Sequence, residues 1–172
     1  MSLEFNVPSF TKRVVPCNGE MAKELPLVSI IIVNFNDKRH LYRCLSSILK
    51  SEYPSFEIIV VDNGSTDGSV ELVKKLFGNN PRIKLIQNER NLGPAAGRNI
   101  GAEVAKGRYL AFLDNDTEVN PKWLKEAVKV MESDLTIGAA QCKLLLMGHR
   151  NRFDYAGDYL SPYGFLIQSG NG

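Results

Sequence analysis

The sequence predicts an α/β fold built on a parallel sheet, and three observations carry that prediction. Apolar runs rich in β-branched residues recur at 28–33, 56–61, 82–87 and 108–113. They read as buried strands, because strands covered on both faces need not alternate. Helical stripes fall between them, and strands alternating with helices imply right-handed crossovers and parallel pairing. The chain has 172 residues, 44% hydrophobic and 23% charged, enough for one sizeable core of ordinary globular composition.

The elements follow in order. Residues 1–26 contain Pro8, Pro16, Pro26 and Gly19 without sustained periodicity, and are expected to form a loosely ordered arm. The regular part, 27–172, opens with VSIIIV at 28–33. Leu41, Leu45, Ile48 and Leu49 then lie at i, i+4, i+7 and i+8, one helix face. Val70, Val73 and Phe77 repeat the stripe after the second strand, with Asp67 as the expected N-cap. Leu124, Ala127, Val128 and Met131 make another, with Asn120 as N-cap and Pro121 at the first helical position. A fifth apolar run covers 135–142 and continues as LLLM at 144–147, whereas 148–172 is rich in Gly, Tyr and turn residues.

Bulk properties narrow the function. A net charge of +2 with both signs interspersed gives no footprint for nucleic acid. The run at 28–33 is far short of the ~20 residues needed to cross a bilayer. The N-terminus lacks a signal peptide's apolar region, which predicts a soluble, intracellular chain. Cys17, Cys44 and Cys142 are odd in number and widely spaced, so they are expected to be free thiols. Cys44 falls on an apolar helix face and Cys142 in an expected strand, and both are expected to be buried.

Chemistry concentrates at the expected strand ends, where open α/β sheets bind ligands. The first strand ends in VNFN, where Val33 and Phe35 could flank a flat base; the competing reading makes Phe35 a core residue. Asp62 closes the second strand, at the head of DNGSTDGS. Its carboxylate can accept from the imide N–H of uracil or thymine; the competing reading is a turn whose Asp and Ser residues cap the next helix, and both can hold, because Asp67 is the natural cap and leaves Asp62 free. In NLGPAAGRNIG at 91–101, Gly97 and Gly101 share a helix face and permit close packing on the sheet. Arg98 in that segment could reach a diphosphate, orient an acidic neighbour, or stay solvated. Asp114, Asn115 and Asp116 follow YLAFL and offer oxygen ligands suited to Mg²⁺ or Mn²⁺, or else form a turn before the next helix. His40 and His149 have no spacing that marks a metal site; His40 is expected to be an exposed helix residue and Trp123 to pack at a helix start.

VSIIIVNFN (28–36), VVDNGSTDGS (60–69), NLGPAAGRNIG (91–101) and YLAFLDND (109–116) in this order resemble the family 2 glycosyltransferases, inverting enzymes with a Rossmann-like, three-layer GT-A-type fold. FDYAGDYLSPYG at 153–164 is similar to the stretch after the fifth strand in rhamnosyltransferase-like members. The resemblance implies that Val33 and Phe35 border the base and Asp62 binds it. It also implies that Asp116 ligates the metal on the donor's diphosphate, that Asp114 and Asn115 contact the ribose or support the metal shell, and that Arg98 lies near the diphosphate. The implied cofactor is Mn²⁺ or Mg²⁺, and the implied partners are a UDP- or dTDP-linked sugar and a glycan or lipid-linked acceptor. The implied setting is the cytoplasm, with peripheral association at the inner face of a membrane. The family's general base comes from a later segment, which places it beyond Gly172 and makes 27–172 the donor-binding part.

Two other classes compete. A non-catalytic nucleotide-sugar-binding module would keep the donor pocket without the acceptor side. A sugar-nucleotidyltransferase would carry a glycine-rich basic loop after the first strand, where this chain reads NFNDKRH. A dinucleotide-dependent dehydrogenase fails on the same turn, which lacks the glycine fingerprint.

Overall fold

The computed structural model describes residues 24–146, with the further strand segments 149–155, 158–160 and 166–168. Four parallel strands form the main sheet: β1 (Val28–Asn34), β2 (Phe56–Asp62), β3 (Ile83–Gln87) and β4 (Tyr109–Asp114), in the order β3-β2-β1-β4. Each lies within a residue of its expected span. The helices are α1 (Lys38–Ile48), α2 (Ser69–Phe77), α3 (Gly93–Glu103) and α4 (Trp123–Ser133). Two short antiparallel pairs follow, β5 (Leu144–Leu146) with β6 (His149–Tyr155) and β7 (Asp158–Leu160) with β8 (Leu166–Gln168). The expected arm lies outside the described residues except for 24–26, and so do Cys17 and the side chains of 153–164.

Alternation on the central strands separates two cores. Ile30, Ile32, Ile58 and Val60 face one side with Leu41, Leu45, Val73, Phe77, Leu124 and Val128 from α1, α2 and α4. Ile31, Ile59 and Val61 face the other, with Ile100 of α3. Each fully buried aliphatic side chain is worth roughly 1.5–3 kcal/mol over its exposed state, so these two layers hold the sheet between the helices. The glycine prediction for α3 is met. A Cβ on Gly97 would stand 2.7 Å from Val33 Cγ1, and one on Gly101 would stand 2.5 Å from Ile31 Cγ2. Only hydrogen fits in either gap.

Several expectations need correction. β4 was expected to be covered on both faces, but it alternates, with Leu110 and Phe112 exposed. It is an edge strand here, and α3 packs over β1 and β2 instead. The run 135–143 is not a strand. Asp134 Oδ1 accepts from Thr136 N at 2.8 Å and folds the chain into a turn, leaving Leu135 86% exposed. Cys142 is therefore exposed and outside any strand, whereas Cys44 is buried as expected. Gly68, at φ 83°, is the N-cap of α2 in place of Asp67. Asp67 instead braces two segments, accepting from Lys38 N at 2.8 Å and Ser69 N at 3.0 Å. α4 begins at Trp123, two residues later than expected, after a turn in which Asn120 Oδ1 accepts from Lys122 N at 3.0 Å. Trp123 packs on the core as expected, and His40 is half-exposed on α1, its Nδ1 2.8 Å from Asp37 Oδ1.

Candidate donor-binding site

Strand order reverses around β1: the chain runs outward through β2 to β3, then α3 returns it to β4 on the other side of β1. Loops diverge at such a switch point and leave a crevice beyond the carboxyl ends of the strands. A crevice of about 330 Å³ lies there, lined by Val33 at the end of β1 with Phe35 and Asp37 beyond it, Asn63 after β2, Asn91 before α3, Pro94 and Arg98 on α3, and Asp114 at the end of β4 with Asn115 and Asp116 beyond it. That volume falls in the range of small-molecule sites. A shallower depression between α1 and α2, lined by Lys38, Arg39, Tyr42, Arg43 and Leu72, contains no carboxylate.

Six of the seven candidate residues thus meet in one crevice. Phe35 is 46% exposed at its mouth, which rules out the core reading. Val33 is half-buried under Gly97 of α3. Arg98 adopts the second of its expected roles: its Nη2 donates to Asp114 Oδ1 at 2.7 Å. Both side chains are largely exposed, so the pair is worth at most about 1 kcal/mol and can open for an anionic guest. The start of α3 adds a favourable helix dipole on the same side.

Asp62 is the candidate that does not line the crevice. It is only 2% exposed, on the α1 side of the sheet, where Oδ2 accepts from Asn34 Nδ2 at 3.0 Å and Oδ1 from Ser65 N at 2.8 Å. Asp62 is joined to the loop of Asp116 only indirectly. Asn34 Oδ1 accepts from Asn115 Nδ2 at 2.9 Å, so one buried amide joins the two acidic loops.

Asn34, Asp37, Asn63, Asn91 and Pro94 were not singled out by sequence reasoning. Asn63 staples the end of β2 to the loop before α3, donating to Gly93 O at 3.1 Å and accepting from Asn88 Nδ2 at 2.8 Å. Asn91 Oδ1 in turn accepts from Gly93 N at 2.8 Å. The available signal was the run of polar residues in place of aliphatics at the last strand positions, Asn34 and Asp62–Asn63.

Asp116 is exposed and makes no hydrogen bond or ion pair among the described residues, and Asp114 is held only by the weak Arg98 pair. The described residues contain no group of three His, Cys, Asp or Glu side chains able to hold a metal alone. One or two carboxylates suit Mg²⁺ or Mn²⁺ when phosphates and water complete the shell. Burial first, and then the charges of Asp116, Asp114 and Glu118, push the Cys44 thiol beneath this loop up to about 12. Only the smaller contribution, from the three carboxylates, is a negative potential that would also favour a cation.

Comparison with known proteins supplies the lineage. The model for "Glycosyl transferase family 2" matches residues 29–154. A chondroitin synthase from Pasteurella multocida is 33% identical over 131 residues, covering 76% of this chain and 14% of that protein. The solved mannosyltransferase PcManGT from Pyrobaculum calidifontis, in complex with GDP-Man and Mn²⁺, is 29% identical with a TM-score of 0.64, over 68% of this chain and 35% of that one. S. aureus TarS 1–349 in complex with UDP is 28% identical with a TM-score of 0.58, over 67% of this chain and 38% of that one. The chain therefore spans well under half the length of these relatives. With a family match over most of its length and the parallel sheet and flanking helices of the GT-A fold, the chain belongs to glycosyl transferase family 2.

Proposed function

We propose that this chain is the donor-binding part of an inverting glycosyltransferase that uses a nucleoside-diphosphate sugar and a divalent cation. The observation that carries the proposal is the uncommitted Asp116 carboxylate opening, with Asp114 and Arg98, on the crevice that Phe35 borders. The solved neighbours in complex with GDP-Man and Mn²⁺ or with UDP support the ligand class.

In this reading the base lies against Phe35 and Val33. Asp62 uses two of a carboxylate's roughly four acceptor positions on Asn34 and Ser65, and the others can take an imide N–H of uracil or thymine only if the loop after β2 shifts on binding to uncover this buried side chain. Asp116, assisted by Asp114, holds the cation, and Arg98 exchanges Asp114 for the diphosphate. When bound, the cation supplies Lewis-acid stabilisation of the departing diphosphate. The acceptor hydroxyl attacks the anomeric carbon from the face opposite the breaking C–O bond, which inverts the centre, and its proton passes to a base contributed by a later segment. The acceptor is a glycan or lipid-linked saccharide met at the cytoplasmic face of a membrane. No described helix is long and apolar enough to cross one.

Calorimetric titration with UDP and dTDP, with and without Mn²⁺, tests the assignment. Metal should tighten wild-type binding, and Asp116→Ala should lose that gain while keeping the metal-free affinity. A full metal gain in the variant would remove Asp116 from the site. Asp62→Ala should weaken UDP more than ADP, whose adenine has no imide N–H; equal losses would end the base-reading role.

A further inference from the structure

Asn34 is fully buried at the end of β1, and every hydrogen-bonding group of its side chain is engaged. Its Nδ2 donates to Asp62 Oδ2 at 3.0 Å and to Ser65 Oγ at 3.1 Å, while Oδ1 accepts from Asn115 Nδ2 at 2.9 Å. The surroundings permit only this orientation. A flipped amide would set its oxygen against the Asp62 carboxylate and its N–H groups against the Asn115 donor. The anchoring continues outward, since Ser65 Oγ also accepts from Asn36 N at 2.9 Å and Asn36 Oδ1 from Thr66 N at 2.7 Å. Among the described residues no buried side-chain nitrogen or oxygen lacks a partner, so the hub is closed.

We propose that Asn34 is a positioning residue that locks the loop after β2 to the loop after β4, so that base binding on one side and cation binding on the other act as one event. The proposal rests on the donor-site reading above. Asn34 touches neither guest in this account. It fixes Asn115, and with it the backbone from Asp114 to Asp116, relative to Asp62 and Ser65. Deleting a group bonded directly to a metal ligand typically costs roughly 10–100-fold in affinity, and Asn34 acts one residue further out, through Asn115, which places it at the low end of that range.

A built-in control lies on the same strand. Ser29, also fully buried, bridges β2 and the approach to β4: its Oγ donates to Glu57 Oε1 at 2.6 Å and accepts from Gly107 N at 2.8 Å. It stands about 16 Å from Asn34, at the amino end of the sheet.

The test compares Asn34→Ala and Ser29→Ala with the wild-type chain by hydrogen exchange and by calorimetry with UDP, with and without Mn²⁺. Asn34→Ala should speed exchange across 62–67 and 114–118 together. It should also cut the factor by which Mn²⁺ tightens UDP binding ~10-fold or more, whereas Ser29→Ala changes neither. A merely structural loss lowers the melting temperature and leaves that factor intact in the folded molecules. Asn34→Ser, which keeps a hydroxyl beside Asp62, carries the same test if the alanine variant does not fold. Loosening of one loop alone, or an undiminished metal factor, would overturn the positioning role and leave the donor site standing. Wild-type protein that binds no UDP would sink the donor site instead, and the exchange data would still decide whether Asn34 couples the loops.

Discussion

The two ends of β1 solve the same structural problem with opposite consequences. At the amino end, Ser29 and Glu57 tie β1 and β2 to the backbone of Lys106 and Gly107. At the carboxyl end, Asn34 ties β1 to Asp62, Ser65 and Asn115, and those partners belong to loops that diverge around a crevice. Both hubs are buried polar groups that would cost stability if left unpaired. The amino end answers with one hydroxyl between a carboxylate and a backbone N–H. The carboxyl end answers with an amide that has both donors and an acceptor, and so can hold a carboxylate and a second amide at once. Stability alone needs the first arrangement, while a two-part ligand site benefits from the second.

Helix α3 allows the carboxyl end and the middle of the sheet to be perturbed by the same chemical change. Gly101→Val drives a side chain into Ile31 at the middle of β1 and into Val61, one helical turn further from the crevice, and should cost about 3 kcal/mol through overpacking. Gly97→Val drives one into Val33 and toward Asn63, and should cost a similar amount. Thermal unfolding should show comparable losses, because α3 must lift from the sheet in both. Calorimetry should separate them. Where the protein is still folded, Gly97→Val should weaken UDP binding by displacing Val33 from the crevice wall, and Gly101→Val should not. Equal binding losses would mean that strain introduced at the middle of the sheet reaches the crevice and that the site is not locally set.

The contrast also explains what could be read from the sequence. The four main strands, the stripe on α1 and the glycine face of α3 were legible because burial selects apolar spacing directly. The burial of β4 was misread, since Leu110 and Phe112 are as apolar as their counterparts on β1 and only the sheet order reveals an edge. Residues 135–142 were misread for a related reason: an apolar run does not form a strand without a neighbour, and Asp134 turns the chain away first. Most of the site was legible because strand ends have a fixed role in this topology. Asp62 was only partly so, because which face of the strand its side chain occupies depends on register. Asn34 was missed because its importance lies in three partners 28 to 81 residues away.

A smaller effect sharpens the comparison from the amino side. Ser29→Ala removes the hydroxyl bonded to Glu57 and Gly107 and should cost about 1–2 kcal/mol, lowering the melting temperature by roughly 3–6 °C. UDP affinity should remain at the wild-type value with and without Mn²⁺. A fall in affinity here would show that the amino end also sets the site geometry, and it would remove the distinction drawn between the two hubs.

The smallest effect concerns Asp67, which braces the outer rim of the carboxyl end. Burial raises its pKa, but the combined bonds from Ser69 Oγ, Lys38 N and Ser69 N hold the carboxyl below its ordinary value. A folded-state pKa that is depressed gives stability that is present above the unfolded pKa and lost as pH falls through the folded one. The Asp67→Ala variant should therefore melt about 1–3 °C below wild type at neutral pH, a deficit that shrinks as acid protonates the wild-type carboxyl. Asp67 bonds the first turn of α1 and the start of α2, and neither Asn34 nor Asn115, so the variant should keep the wild-type metal factor for UDP. A pH-independent deficit would mean that the aspartate acts through packing. A lost metal factor would extend the coupled region outward from Asn34 to the whole rim.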